Sequence, residues 1–137
     1  MFEDFTVRAR QAAETSAEQQ ARVRSHDWIG TEHLLLGLNQ DGDGTAVKTL
    51  NALGNSMPAA QARIDDILGP GQRTPRPGPL PHTPRSRRVL ELAGHEANRL
   101  GHRQVSTGHI LLALIRESDG IAGQVLAAQG ADLATAR

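Results

Sequence analysis

Thr31-Glu32-His33-Leu34-Leu35-Leu36-Gly37-Leu38 returns later in the chain as Thr107-Gly108-His109-Ile110-Leu111-Leu112-Ala113-Leu114. The offset is 76 residues, and the match spreads outward: of the 29 pairs formed by residues 26–54 and 102–130, 12 are identical. Composition alone would give roughly two. Upstream, Thr6-Val7-Arg8 pairs with Thr83-Pro84-Arg85 at an offset one residue larger. The chain is a tandem repeat of one unit.

Each copy reads as a series of helices. In the second, Val89, Leu92, Ala93, Glu96, Ala97 and Leu100 recur at three- and four-residue spacing, the mark of an amphipathic helix. In the first, Phe5, Ala9, Ala13, Ala17 and Ala21 mark the corresponding apolar stripe. Thr31, and Ser106 or Thr107, stand where a cap belongs, just before the leucine-rich runs. Asp41-Gly42-Asp43-Gly44 and Ser118-Asp119-Gly120 interrupt those helices, and a third helix follows in each copy, closed by Gly54 and Gly130. Ser56 caps a fourth helix running to about Leu68, whose counterpart after Asp132 is short. Period-two runs of β-branched and aromatic residues are absent, so no strand is expected. Six of the seven prolines fall within residues 69–84. Proline fixes φ and lacks an amide donor, so this stretch should run extended between the copies. The expected organisation is therefore repeat one at residues 1–68, a spacer at 69–84 and repeat two at 85–137, packed as one unit.

Fifteen basic residues balance fifteen acidic ones, and Phe2, Phe5 and Trp28 are the only aromatic rings other than histidine. A duplex binder carries a basic excess, and a single-strand binder carries stacking rings. Neither is present, so nucleic acid is not expected as a partner. Cysteine is absent, which removes disulfide and thiolate chemistry. Met1-Phe2-Glu3-Asp4-Phe5 lacks the basic start and apolar run of a secretory signal. No apolar run approaches the ~20 residues that cross a bilayer. The expected location is the cytoplasm.

The usual catalytic signatures are missing. The single lysine, Lys48, lies in no G-x-x-x-x-G-K-[ST] loop. His95-Glu96-Ala97-Asn98-Arg99 begins like the zinc-protease helix H-E-x-x-H but ends in arginine. His95, His102 and His109 are seven residues apart and fall on two different helices and a turn. His33 and His109 instead occupy matching positions, where each ring can bond across a helix start while packing inward. No G-x-S-x-G elbow occurs, and Ala52 stands where a calcium loop beginning at Asp41 would need its acid. The chain is read as not an enzyme, with no cofactor and no metal. Two competing readings make their own demands. A DNA-binding regulator working through Arg85-Ser86-Arg87-Arg88 requires salt-sensitive duplex binding, and a histidine-based hydrolase requires retained zinc.

Three segments carry a resemblance. Met1-Phe2-Glu3-Asp4-Phe5-Thr6-Val7-Arg8-Ala9-Arg10 resembles the start of the N-terminal domains of ClpC-type protein unfoldases. Ile29-Gly30-Thr31-Glu32-His33-Leu34-Leu35-Leu36-Gly37-Leu38 is similar to the signature of the Clp N-terminal repeat. Thr83-Pro84-Arg85-Ser86-Arg87-Arg88-Val89-Leu90-Glu91-Leu92 is similar to the opening of the second repeat. The resemblance implies an all-α fold of two four-helix repeats related by a pseudo-two-fold axis. It implies a docking module that hands protein substrates or adaptors to a AAA+ unfoldase ring. It also implies a phosphoarginine pocket at Thr31 and Glu32. Gly108 stands at the matching place in the second copy, so one pocket per chain is expected. A second surface, between the first helix and the helix opening the second copy, is implied for adaptors, peptides and cyclic peptide antibiotics through Phe2, Arg10, Arg87, Leu90 and Glu91. Around it, His82 replaces an aromatic residue, and Ala12 and Ala13 stand near the family's first-helix valines. A free-standing paralogue that sequesters such peptides, or competes for Clp substrates, is the alternative reading.

Overall fold

The computed structural model describes residues 3–40, 57–68, 78–117 and 119–128. The first helical rod comprises α1 (Val7–Gln11), a π-helical turn (Ala12–Ser16) and α2 (Ala17–Val23). After it come α3 (Thr31–Gln40), α4 (Met57–Leu68), α5 (Pro84–Arg99), α6 (Thr107–Arg116) and α7 (Ile121–Ala128). Among the described residues there is no strand, only two isolated bridges. The expected third helix of the first copy, the calcium-like Asp41 turn and the short last helix lie outside the described residues.

Both copies open in the same way. The Thr6 hydroxyl accepts the Ala9 amide at 3.0 Å, and the Thr83 hydroxyl accepts the Ser86 amide at 3.1 Å, with Pro84 at the first helical position. The segment from Thr6 to His26 is one residue longer than that from Thr83 to His102. The π turn at Ala12–Ser16 absorbs that residue, since a π turn is a one-residue insertion into an α-helix. Buried positions follow the two offsets on either side of it. Ala9, Ala12 and Ala13 match Ser86, Val89 and Leu90 at the larger offset; Ala17 and Ala21 match Ala93 and Ala97 at the smaller. Leu90, not Leu92, therefore belongs to the inner stripe of α5, and Leu100 lies exposed beyond the end of that helix.

The centre of the molecule is α3. Its residues from Thr31 to Leu38 are all buried, and it touches α2, the π turn, α4, α5, α6 and α7. A helix apolar on every side can only be stable when enclosed in this way. Its counterpart α6 buries Ile110, Leu111, Leu112, Ala113 and Leu114.

Two parallel bridges tie the copies together reciprocally. The Val105 amide donates to the Asp4 carbonyl at 2.8 Å and the Thr6 amide to the Val105 carbonyl at 2.9 Å. The Ile29 amide donates to the Pro81 carbonyl at 2.8 Å and the Thr83 amide to the Ile29 carbonyl at 2.9 Å. Phe5 and His82 are equivalent, as are Ile29 and Val105, so each copy's entry segment pairs with the other copy's pre-helix residue. This is the pseudo-two-fold relation the repeat implies. The end of the proline-rich stretch is held against α2. Leu80 is buried with its amide on Glu18 Oε1 at 2.6 Å, and the Arg22 guanidinium donates to the Gly78 carbonyl.

Candidate functional site

The segment between α2 and α3 is built around a pair of histidines. The Gly30 amide donates to His33 Nδ1 at 2.9 Å, which places the ring proton on Nε2, 2.8 Å from His26 Nδ1. The His26 ring stacks on Trp28 with centroids 4.9 Å apart. The second copy repeats the relay: the Ser106 amide donates to His109 Nδ1 at 2.9 Å, and His109 Nε2 lies 2.7 Å from His102 Nδ1. The inward-packing role expected for His33 and His109 is what the structure shows. Burial pushes the His33 ring down to about 3, which keeps it neutral, and lowers His109 as well.

Next to this relay, Glu32 opens α3 and is 4% exposed. The side chain turns back over the loop, bonding its own backbone amide and the Trp28 side chain. A Cβ at Gly30 would stand 1.9 Å from Glu32 Oε1, so only glycine leaves the carboxylate that place. Burial raises the Glu32 carboxyl above its ordinary value, opposed by these hydrogen bonds and the nearby His26. Thr31 Oγ1 lies 3.4 Å from the Ala122 amide at the start of α7.

Thr31 and Glu32 border a pocket of about 350 Å³. Trp28, Leu68, Thr83, Arg85, Asp119 and Ile121 complete most of its wall. In sequence, Arg85 lies in the opening of the second copy and Asp119 in the turn that interrupts its leucine-rich helix. The pseudo-two-fold swap brings both to this pocket, because it carries the second copy's entry segment to the first copy's α3. The signal in the sequence was the Thr-x-Arg motif at Thr83 and Arg85, repeated at Thr6 and Arg8.

The second predicted surface is assembled in part. Leu90 and Glu91 line a groove of about 300 Å³ with Asp4, Phe5, Gly94 and Val105. Arg10 and Arg87 are exposed and lie outside that lining, Arg10 pairing with Glu14 at 3.3 Å. Phe2 lies outside the described residues. Ala12 and Ala13 are buried in the core, because the π turn points both inward, so they form no groove wall. His82 bonds the Ser86 hydroxyl at 2.9 Å and faces a separate cavity of about 290 Å³ bordered by Glu14, Glu18, Ile29 and Leu80.

No group of three or more metal-ligating side chains occurs among the described residues. No described helix is long and apolar enough to cross a membrane.

A duplicated helical unit, with its two halves cross-paired and a pocket at the start of the buried α3, defines a class. The chain belongs to the family of Clp repeat (R) N-terminal domains, whose model matches residues 4–129. It is 43% identical over its whole length to the negative regulator of genetic competence ClpC/MecB of Bacillus subtilis, and covers 16% of that protein. It is 42% identical, again over its whole length, to the chaperone protein ClpB of Oceanobacillus iheyensis, covering 17% of it. The chain thus spans about a sixth of the length of these relatives. In structure it is similar to the N-terminal domain of the caseinolytic protease associated chaperone ClpD from Arabidopsis thaliana. The TM-score is 0.74 at 26% identity, covering 99% of this chain and 94% of that one. The Hsp104 N-terminal domain from Candida albicans shares the fold, with a TM-score of 0.77 at 17% identity over 98% of this chain and 87% of that one.

Proposed function

We propose that the chain is a non-catalytic docking module that receives proteins for a AAA+ unfoldase, and that its pocket at Glu32 takes an arginine-phosphorylated segment. One observation carries this reading: two acidic residues, Glu32 and Asp119, and one basic residue, Arg85, border the same cavity. A phosphoarginine side chain carries both complementary groups. Its guanidinium can donate paired hydrogen bonds to a carboxylate. Its phosphate can lie against Arg85 near the start of α7, where the helix dipole favours an anion.

Calorimetry with phosphoarginine and an arginine-phosphorylated protein tests the reading. One site per chain is expected, with binding reduced at least roughly tenfold in Glu32→Ala and in Arg85→Gln. Circular dichroism of each variant separates lost binding from lost fold. Two equivalent sites, or unchanged affinity in a folded Glu32→Ala chain, would overturn the assignment. The groove at Leu90 and Glu91, apolar at Phe5 and Val105, favours a second reading in which adaptors or cyclic peptides lie between α1 and α5. Glu91→Lys, at an exposed position of the same lining, should weaken that binding at least roughly tenfold and leave phosphoarginine affinity unchanged.

A further inference from the structure

A different cluster lies between α5 and α6, sharing no residue with either site above. Glu96 on α5 is 2% exposed, and its Oε1 takes two contacts from Arg116 on α6, Nη2 at 2.6 Å and Nε at 2.8 Å. Arg99 Nη1 approaches the same oxygen at 3.6 Å. With His95 and Leu92 these groups line a cleft of about 190 Å³. The Arg99 and Arg116 side chains remain 55% and 34% exposed, so the cleft opens on two cations.

Its lining holds two guanidiniums and one carboxylate, a surplus of one permanent positive charge. The fold itself does not require this. At the positions of the first copy equivalent to His95, Glu96, Arg99 and Arg116 stand Gln19, Gln20, Val23 and Gln40, all uncharged. The first copy builds this corner without a buried carboxylate: Gln20 Oε1 accepts from Arg24 at 2.6 Å, and Arg24 pairs with the half-exposed Asp65 of α4 at 2.7 Å. Burying a carboxylate costs desolvation that an apolar or neutral residue avoids, so stability gives no reason for the difference. The cluster falls on His95-Glu96-Ala97-Asn98-Arg99, where arginine in place of a second histidine turns a metal-like pattern toward anion chemistry.

We propose that this cleft is a docking site for a glutamate or aspartate side chain of an acidic protein segment. One carboxylate neutralises the surplus charge and can receive the unused N–H edges of Arg99 and Arg116. Leu92 offers apolar surface to the methylenes behind it. A phosphate dianion would overshoot the charge and stand against the buried Glu96, which selects for the weaker anion.

The test uses the 137-residue chain, labelled with nitrogen-15, and a capped peptide of alternating leucine and glutamate. The expected result is movement of the Arg99 and Arg116 Nε–H resonances, with affinity roughly tenfold weaker for the glutamine peptide. Arg99→Gln, at an exposed position, should weaken binding roughly fivefold. Glu96→Gln leaves both cations uncompensated and should tighten it by a similar factor, an effect a purely structural cluster would not produce. Glu32→Ala should change nothing. Absent binding, equal binding of the glutamine peptide, unaltered affinity in Arg99→Gln, or tighter binding of a phosphoserine peptide would each overturn the proposal.

Discussion

His33 shows how much one side chain is asked to do. Its ring has no exposed surface, accepts the Gly30 amide and donates to His26. His33→Ala would leave a cavity and two unpaired buried groups, a loss of roughly 2–4 kcal/mol measurable by urea unfolding at neutral pH. Its titration also sets an acid response. The folded ring is held at about 3 against an ordinary value of 6.5, so the unfolded chain takes up a proton across that interval that the folded chain refuses. Stability from this source is full above about 6.5 and falls as pH drops toward 3. His82 and His109, lowered by burial, add to the same trend. Glu32 opposes it, since its raised carboxyl binds a proton in the folded state first. Unfolding midpoints between pH 7.5 and 4 should therefore decline, and His33→Asn should show a shallower decline from a lower start.

At the scale of elements, the first rod and α3 meet at a place the repeat does not share. A Cβ on Gly37 would lie 2.5 Å from the Ala12 carbonyl and 3.0 Å from the Ala17 amide, both backbone atoms of the rod at and just after its π turn. Gly37→Ala should cost about 1–3 kcal/mol despite alanine's better helix propensity, because neither backbone can withdraw. Ala113→Gly, at the equivalent position facing the regular α5, should cost only about 1 kcal/mol from propensity. Thermal melts of the two variants give the comparison. The sequence announced the surplus residue as the change from one offset to the other. It could not announce the π turn, because periodicity counts residues per turn and says nothing of where an extra one is lodged. Hence Ala12 went unremarked in the first apolar stripe; in the regular α5, Leu92 stood in place of Leu90 because both fit three- and four-residue spacing around Val89 and Ala93. The buried leucine helices, the cap at Ser106 and the histidine positions were legible, because each depends on local spacing. Arg85 was not, because its pocket exists only after two distant segments cross.

The whole molecule is a mutual exchange of entry segments. Asp4-Phe5-Thr6 belongs in sequence to the first copy and in pairing to the second, and Pro81-His82-Thr83 the reverse. Neither half has a complete set of partners alone. Residues 1–68 expressed separately should be largely unfolded, and mixing them with residues 78–137 should restore helicity beyond the sum of the parts. Circular dichroism of each fragment and of the mixture decides this; two independently folded halves would refute it. The pocket, built from both copies, should be absent from either fragment and return with the mixture.

The bridge between Phe5 and Val105 joins residues a hundred positions apart. Helical bundles ordinarily fold fast because their contacts are close in sequence. Here the opening residues must wait, during synthesis, until most of the chain has left the ribosome before their partner exists. The clasp cannot close before Val105 emerges, and until it does the floor of the Leu90 groove stands open to chaperones and to neighbouring nascent chains.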